Sequence, residues 1–176
     1  MSLVDKIKIL DANCRSSVLH GALHLYIQDG ETRKHSWVRS NKSLIELIKA
    51  GLEKGQYPLF VAEGKTEKKM AQIQRSGYLF YCLGKFERIA SPLVVYGLSF
   101  GENDQHIINA IADNRDLDRV FIGLHGRIDS RINKQIMHVG NWMIKRRKDY
   151  IASTKSRRAK ELIIKYFNSK TALVWD

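Results

Sequence analysis

Residues 91–111 read SPLVVYGLSFGENDQHIINAI, and the change of pattern inside them decides the fold. Pro92 stands at an edge, Leu93, Val94, Val95 and Tyr96 make a short apolar run, and Gly97 breaks it, which predicts a buried strand. A turn follows at once. Gly97, Ser99 and Gly101 let the backbone come close to a ligand, while Glu102, Asn103 and Asp104 supply caps for a helix with Ile107, Ile108 and Ile111 on its apolar face. Strand, glycine turn and helix in this order mark the place where α/β proteins hold a phosphate or a ribose, beyond the carboxyl ends of parallel strands.

Working outward, Arg119–Leu124 (RVFIGL) predicts a second strand, and the His125-Gly126 after it reads as a generic strand-end turn. Residues 133–148 predict a helix with Ile136, Met137, Val139, Met143 and Ile144 inward; residues 156–167 predict another, with Leu162, Ile163, Tyr166 and Phe167 inward; residues 171–175 predict a last strand. Upstream, residues 18–27 (VLHGALHLYI) alternate as one strand or two around Gly21, and Asp29-Gly30 makes a turn. Residues 41–54 form an amphipathic helix that Asn41 or Ser43 can cap and Gly55 can end. Residues 57–62 predict a short strand, 63–76 a polar segment of weak helical period, and 78–89 a helix. Residues 1–17 show only a short apolar rhythm. Strands separated by helices argue for a three-layer, Rossmann-like α/β domain with a mostly parallel sheet over residues 18–176.

Composition sets limits on what such a domain can meet. The chain has 176 residues, 44% of them hydrophobic and 27% charged, enough for a core of its own. Lys and Arg number 30 against 18 Asp and Glu, a net charge of +12 with a pI near 9.8. Acidic partners are favoured: nucleotides, nucleic acids or anionic surfaces. Cys14 and Cys82 are the only cysteines, so neither a disulfide framework nor a cysteine zinc site is expected. Without a signal peptide or a long apolar segment, the chain reads as cytoplasmic and not membrane-bound.

Two sets of residues carry possible chemistry. Gly97-Leu98-Ser99-Phe100-Gly101 fits the G-x-S-x-G pattern of a nucleophile elbow, and His20-Gly21 could serve an oxyanion loop. Against a serine hydrolase using Ser99, residues 102–104 place acid groups where an oxyanion would form, and nothing singles out Asp118, Asp129 or His138 as its partners.

The other set is Leu19-His20-Gly21 within VLHGALHLYI, Pro58-Leu59-Phe60-Val61 followed by Glu63-Gly64, and the Gly97-x-Ser99 turn with Asp104 after it. Together these resemble a bacterial sirtuin-like family of unknown function, related to the sirtuins and their Rossmann-like NAD site. The resemblance implies NAD as cofactor, with His20 as the catalytic base toward a ribose hydroxyl and with Gly97, Ser99 and Asp104 against the cofactor. Histidine suits that task because it can be neutral before the step and protonated after it. The glycine turn and the Asn-x-Asp segment that precede the histidine in sirtuins are missing, which implies an incomplete sirtuin-like core. The zinc-binding cysteines of protein-deacetylating sirtuins are missing too, so NAD hydrolysis is expected rather than lysine deacylation, with little turnover by this chain alone.

The bland alternatives stay open. His20 can be a strand-end histidine satisfied by backbone, Ser99 a helix cap, and Asp104 likewise a cap. A noncatalytic basic module also stays open, since Lys145, Arg146, Arg147, Lys148, Arg157 and Arg158 concentrate charge that could meet nucleic acid. No nucleic-acid motif accompanies them, and cations near a helix end also suit its dipole.

Overall fold

The computed structural model describes residues 8–10, 16–36, 38, 40–61, 64–90, 92–155 and 158–172. Strands β1 (Lys8–Leu10) and β2 (Ser16–Val18) pair antiparallel. Strand β3 (Gly21–Gln28) is the centre of a second sheet, flanked by β4 (Glu31–Lys34) and β5 (Pro58–Phe60), both antiparallel to it. Helix α1 (Leu44–Glu53) lies between β4 and β5 in the chain, and α2 (Thr66–Arg75) and α3 (Gly77–Phe86) follow. Strand β6 (Leu93–Val95) then begins an alternating run through α4 (Gln105–Asp113), β7 (Arg119–Leu124), α5 (Arg131–Thr154) and β8 (Ile163–Asn168).

The α/β, Rossmann-like class read from the sequence holds, but the expected mostly parallel sheet in three layers is corrected: among the described residues only β6-β7-β8, three strands in chain order, pair parallel, and helices cover one face of that sheet. Neighbouring parallel strands joined in one direction by right-handed crossovers put both crossover helices on the same face. That face holds the core: Leu93, Val95, Val120 and Ile122 are buried with Ile107 and Ile111 of α4 and Ile136 and Met143 of α5. Gly140 brings α5 close to β8, where a Cβ would collide with the Tyr166 hydroxyl. Parallel pairing goes no further among the described residues, because the strands before residue 61 form antiparallel ladders.

Of the caps read from the sequence, Ser43 acts, whereas Asp104 stands at the start of α4 without a side-chain capping bond and pairs with Lys69 instead. Ser43 caps α1 in a full capping box: its Oγ accepts from the Glu46 N–H at 3.3 Å and Glu46 Oε2 accepts from the Ser43 N–H at 2.7 Å. Ser76 separates α2 from α3 by accepting from the Leu79 N–H, and within the weakly periodic segment 63–76 the residues Thr66–Arg75 are a helix. Ser130 starts α5 by accepting from the Asn133 N–H, three residues before the expected start.

Two expectations at the C-terminal end are corrected. Where a helix was expected over 156–167, the strand Ile163–Asn168 begins, held in register beside β7 from Arg119↔Ile163 to Leu124↔Asn168. An apolar run such as Leu162, Ile163, Ile164, Tyr166 and Phe167 satisfies both periods, and a free parallel edge on β7 decided between them. Residues Ser169–Ala172 form a 3-10 turn where a last strand was expected, and residues 173–176 lie outside the described part of the chain.

Among the described residues the deepest charged side chain is Arg147, 1% exposed. Its guanidinium donates to the carbonyls of Ile111, Ala112 and Asn114 at the end of α4, to Leu117 ahead of β7 and to Lys160 ahead of β8. Helix α4 has no basic residue in its own last turn and ends on an extended Asn114. Its orphan carbonyls therefore take their donors, and a positive charge, from α5.

Candidate functional site

The turn after β6 is sorted by burial. Leu98 and Phe100 are inserted into the core, while Gly97 and Ser99 are left outside. Gly97 has φ +75° and the buried Phe100 has φ +52°, a conformation that bulky residues rarely adopt. The Phe100 carbonyl accepts a hydrogen bond from Gln135 Nε2 on α5 at 3.3 Å, tying the turn to that helix. After β7, Gly126 (φ +71°) makes the corresponding turn. Asn133, buried in the first turn of α5, donates to the carbonyls of His125 (2.9 Å) and Arg127 (2.7 Å) and so shapes that loop.

Between these turns, at the carboxyl ends of the parallel strands, lies a cavity of about 660 Å³. Its walls include Gly97 and Ser99 after β6, His125 and Arg127 after β7, and Ser130 and Asn133 at the start of α5. His125 Nδ1 lies 3.3 Å from Ser169 Oγ, linking the loops after β7 and β8. Arg127 is turned to Asp129 in a two-pronged pair, and Tyr96, Leu98, Ile132 and Ile136 give the cavity largely apolar walls. The Ser99 and Ser130 hydroxyls and the amino end of a 24-residue helix are the groups that suit an anionic, hydroxylated ligand. His125-Gly126, read as a generic turn, therefore belongs to the same cavity as Gly97 and Ser99; its position directly after a strand was the available signal.

His20 and Asp104 come together elsewhere. His20, in the turn between β2 and β3, is buried, and its Nε2 is 2.7 Å from Nε2 of His106 on α4. Beside them Lys69 Nζ of α2 pairs with Asp104 Oδ1 at 3.0 Å, with both side chains largely buried. Burial holds the His20 imidazole below its ordinary pKa, with Lys69 adding to the effect and Asp104 opposing it. Burial first, and then His20, push His106 down to about 4. At neutral pH the pair is uncharged, and one Nε2–H is shared between the two rings. His106 also walls a second cavity of about 430 Å³, with Thr66, Met70, Glu87, Asn109 and Asp113. Nothing local in the sequence marked His106, since its partner is 86 residues away.

Neither His20 nor Asp104 lines the cavity of Gly97 and Ser99. Among the described residues no histidine hydrogen-bonds to Ser99, and the positive φ angles of its turn fall on Gly97 and Phe100 rather than on the serine. The basic run is also divided. Arg147 is buried as a structural donor, Arg146 makes a two-pronged pair with Asp113, and Lys145 pairs with Asp149. Lys148 and Arg158 stay exposed, and Arg157 lies outside the described residues. Arg147 is thus removed from the expected nucleic-acid surface, because the end of α4 needs its donors.

Among the described residues no helix is long and apolar enough to cross a membrane. The fold and the cavity define an α/β domain with a ligand-sized opening at the carboxyl rim of a parallel sheet. The family model described as "Domain of unknown function (DUF4917)" matches residues 7–175, and the chain belongs to that family. No curated protein and no solved structure matches it.

Proposed function

We propose that this chain is a nucleotide-binding domain whose rim cavity takes the ribose-phosphate part of an NAD-like dinucleotide. The supporting observation is the cavity itself: Gly97 and Gly126 at positive φ, the Ser99 and Ser130 hydroxyls, and the start of α5 converge at the carboxyl ends of β6, β7 and β8, where open α/β sheets hold nucleotides. The sirtuin resemblance of the Leu19-His20-Gly21 and Gly97-x-Ser99 segments points to the same ligand class. NAD would supply a bond between ribose and nicotinamide that breaks through a cation-like sugar.

His20 is neutral near pH 7 and is the candidate to accept a ribose proton. It is buried against His106, outside the cavity lining. In this reading the chain binds by itself, and cleavage belongs to an assembly in which another segment completes the pocket beside His20.

Titration calorimetry with NAD, ADP-ribose and AMP tests the proposal. Saturable binding of NAD is expected, weakened at least about tenfold by Ser99→Tyr, which fills the cavity from an exposed position, and unchanged by His20→Ala. Absence of heat with all three ligands, or equal binding by Ser99→Tyr, overturns it. The nucleic-acid alternative rests on the net charge of +12 and on exposed Lys148 and Arg158. It predicts instead retention on RNA or DNA that falls steeply with salt.

A further inference from the structure

Parallel sheets are ordinarily covered on both faces, since their strands are apolar on both sides. Here one face of β6-β7-β8 is covered and the other is open among the described residues. Register places Val94 beside Phe121 and Phe121 beside Lys165, with Arg119 beside Ile163 and Gly123 beside Phe167. Side chains in register share a face and alternate along each strand, so the open face carries Val94, Arg119, Phe121, Ile163, Lys165 and Phe167. Val94 is 61% and Ile163 50% exposed, whereas Leu93, Val95, Val120 and Ile122 on the opposite face are buried. Phe121 and Phe167 are half-buried. Apolar side chains are thus presented by a kind of sheet that elsewhere has a helical layer over it.

We infer that this face docks one amphipathic helix of a partner protein, with acidic residues bordering its apolar stripe. Size supports a single helix. Three strands spaced ~4.8 Å apart give a face roughly 14 Å wide, and the six residues of β7 and of β8 make it roughly 20 Å long. That accommodates one helix of 10–12 Å diameter and about 13 residues. Charge selects its chemistry. The charged side chains on the face are Arg119 and Lys165, both cationic; Asp118, before the strand, lies 3.4 Å from Arg119. A second copy would set these cations against their own kind, on chains that each carry +12. An acidic helix meets them with opposite charge while its apolar stripe covers Val94, Phe121 and Ile163.

The probe is a labelled amphipathic peptide of roughly 14 residues, with a Leu/Ile stripe bordered by Glu, and a twin in which Lys replaces Glu. Both are titrated onto the full chain by fluorescence anisotropy. The acidic peptide is expected to bind and its basic twin to bind at least about tenfold more weakly. Lys165→Glu is expected to narrow or reverse that preference, and Val94→Asp to weaken the acidic peptide further. Both positions are exposed, and circular dichroism checks that each variant is folded; Lys165→Glu alone suffices if Val94→Asp is not. The inference is overturned if the two peptides bind alike, if neither binds, or if Lys165→Glu leaves the titrations unchanged. A concentration-dependent dimer that Val94→Asp dissolves would give the face to a second copy and overturn it equally.

Discussion

The two halves of this molecule use similar amounts of apolar sequence to different effect. From β6 onward, helices and strands bury each other: six of the nine residues of α4 are buried, and β7 is buried along most of its length. In the earlier half, α1 buries only Gly51 although its sequence is amphipathic, and Ile45 on it is 66% exposed. The pattern of a helix shows which side could be apolar, and the neighbours determine whether that side is used. Parallel crossovers force α4 and α5 onto one sheet face, whereas the antiparallel β3-β4-β5 sheet makes its own ladders without needing α1 on top. The two halves nevertheless share one buried core, in which Leu19, Ile73, Leu79, Leu83 and Phe86 pack in the same cluster as Leu93, Ile107 and Ile111, and the Lys69–Asp104 and His20–His106 pairs lie across that junction.

The largest break is expected at Arg147. Arg147→Met keeps the aliphatic stem but strips donors from the carbonyls of Ile111, Ala112, Asn114, Leu117 and Lys160. Each buried acceptor left unpaired costs about 1–3 kcal/mol, so a loss of about 4 kcal/mol or more is expected, with hydrogen-exchange protection falling across α4, β7 and β8 together. A loss below about 1 kcal/mol would show that this guanidinium does not hold the later half together.

Gly21→Ala should act on the other half. Gly21 has φ +73°, and a Cβ there would collide with the Leu59 carbonyl oxygen where β3 meets β5. A loss of about 2 kcal/mol is expected from the left-handed backbone and the clash. Protection in β3 and β5 should fall while that of β7 is retained; equal loss in both halves would mean that they unfold as one unit.

The smallest effect is expected at the junction and depends on pH. His20 and His106 are both held below the unfolded value of 6.5, His106 at about 4. The unfolded chain therefore binds protons that the folded chain refuses between about pH 6.5 and 4. The stability this pair contributes is present above that window and is lost as pH falls through it. Urea midpoints at pH 7 and pH 5 should differ more for the wild type than for His106→Gln; equal differences would remove the pair as a source of acid sensitivity.

Much of the later half was legible because its signals are local. The run RVFIGL is both the predicted and the observed strand, and Ile107, Ile108 and Ile111 face the core as their spacing predicts. Gly97 and Ser99 could be placed in a turn at the rim of the sheet because the glycine breaks the apolar strand there, and that turn walls the cavity. Tyr166 and Phe167 were misplaced on a helix because their spacing satisfies two periods, and only pairing with β7 separates them. Arg147 looked like one more surface cation in KRRK, since what buries it is the unfinished end of another helix.

The amino-acid sequence by itself determined most of the elements ahead of β8, because capping boxes, left-handed glycines and apolar periodicity act within a few residues of chain. Tertiary structure alone decided that His20 meets His106, that Gly97 and Gly126 share one cavity, and that among the described residues one face of the parallel sheet is left open. Those are contacts between segments far apart in the chain, and their energies exist only once the strands have taken their order and register.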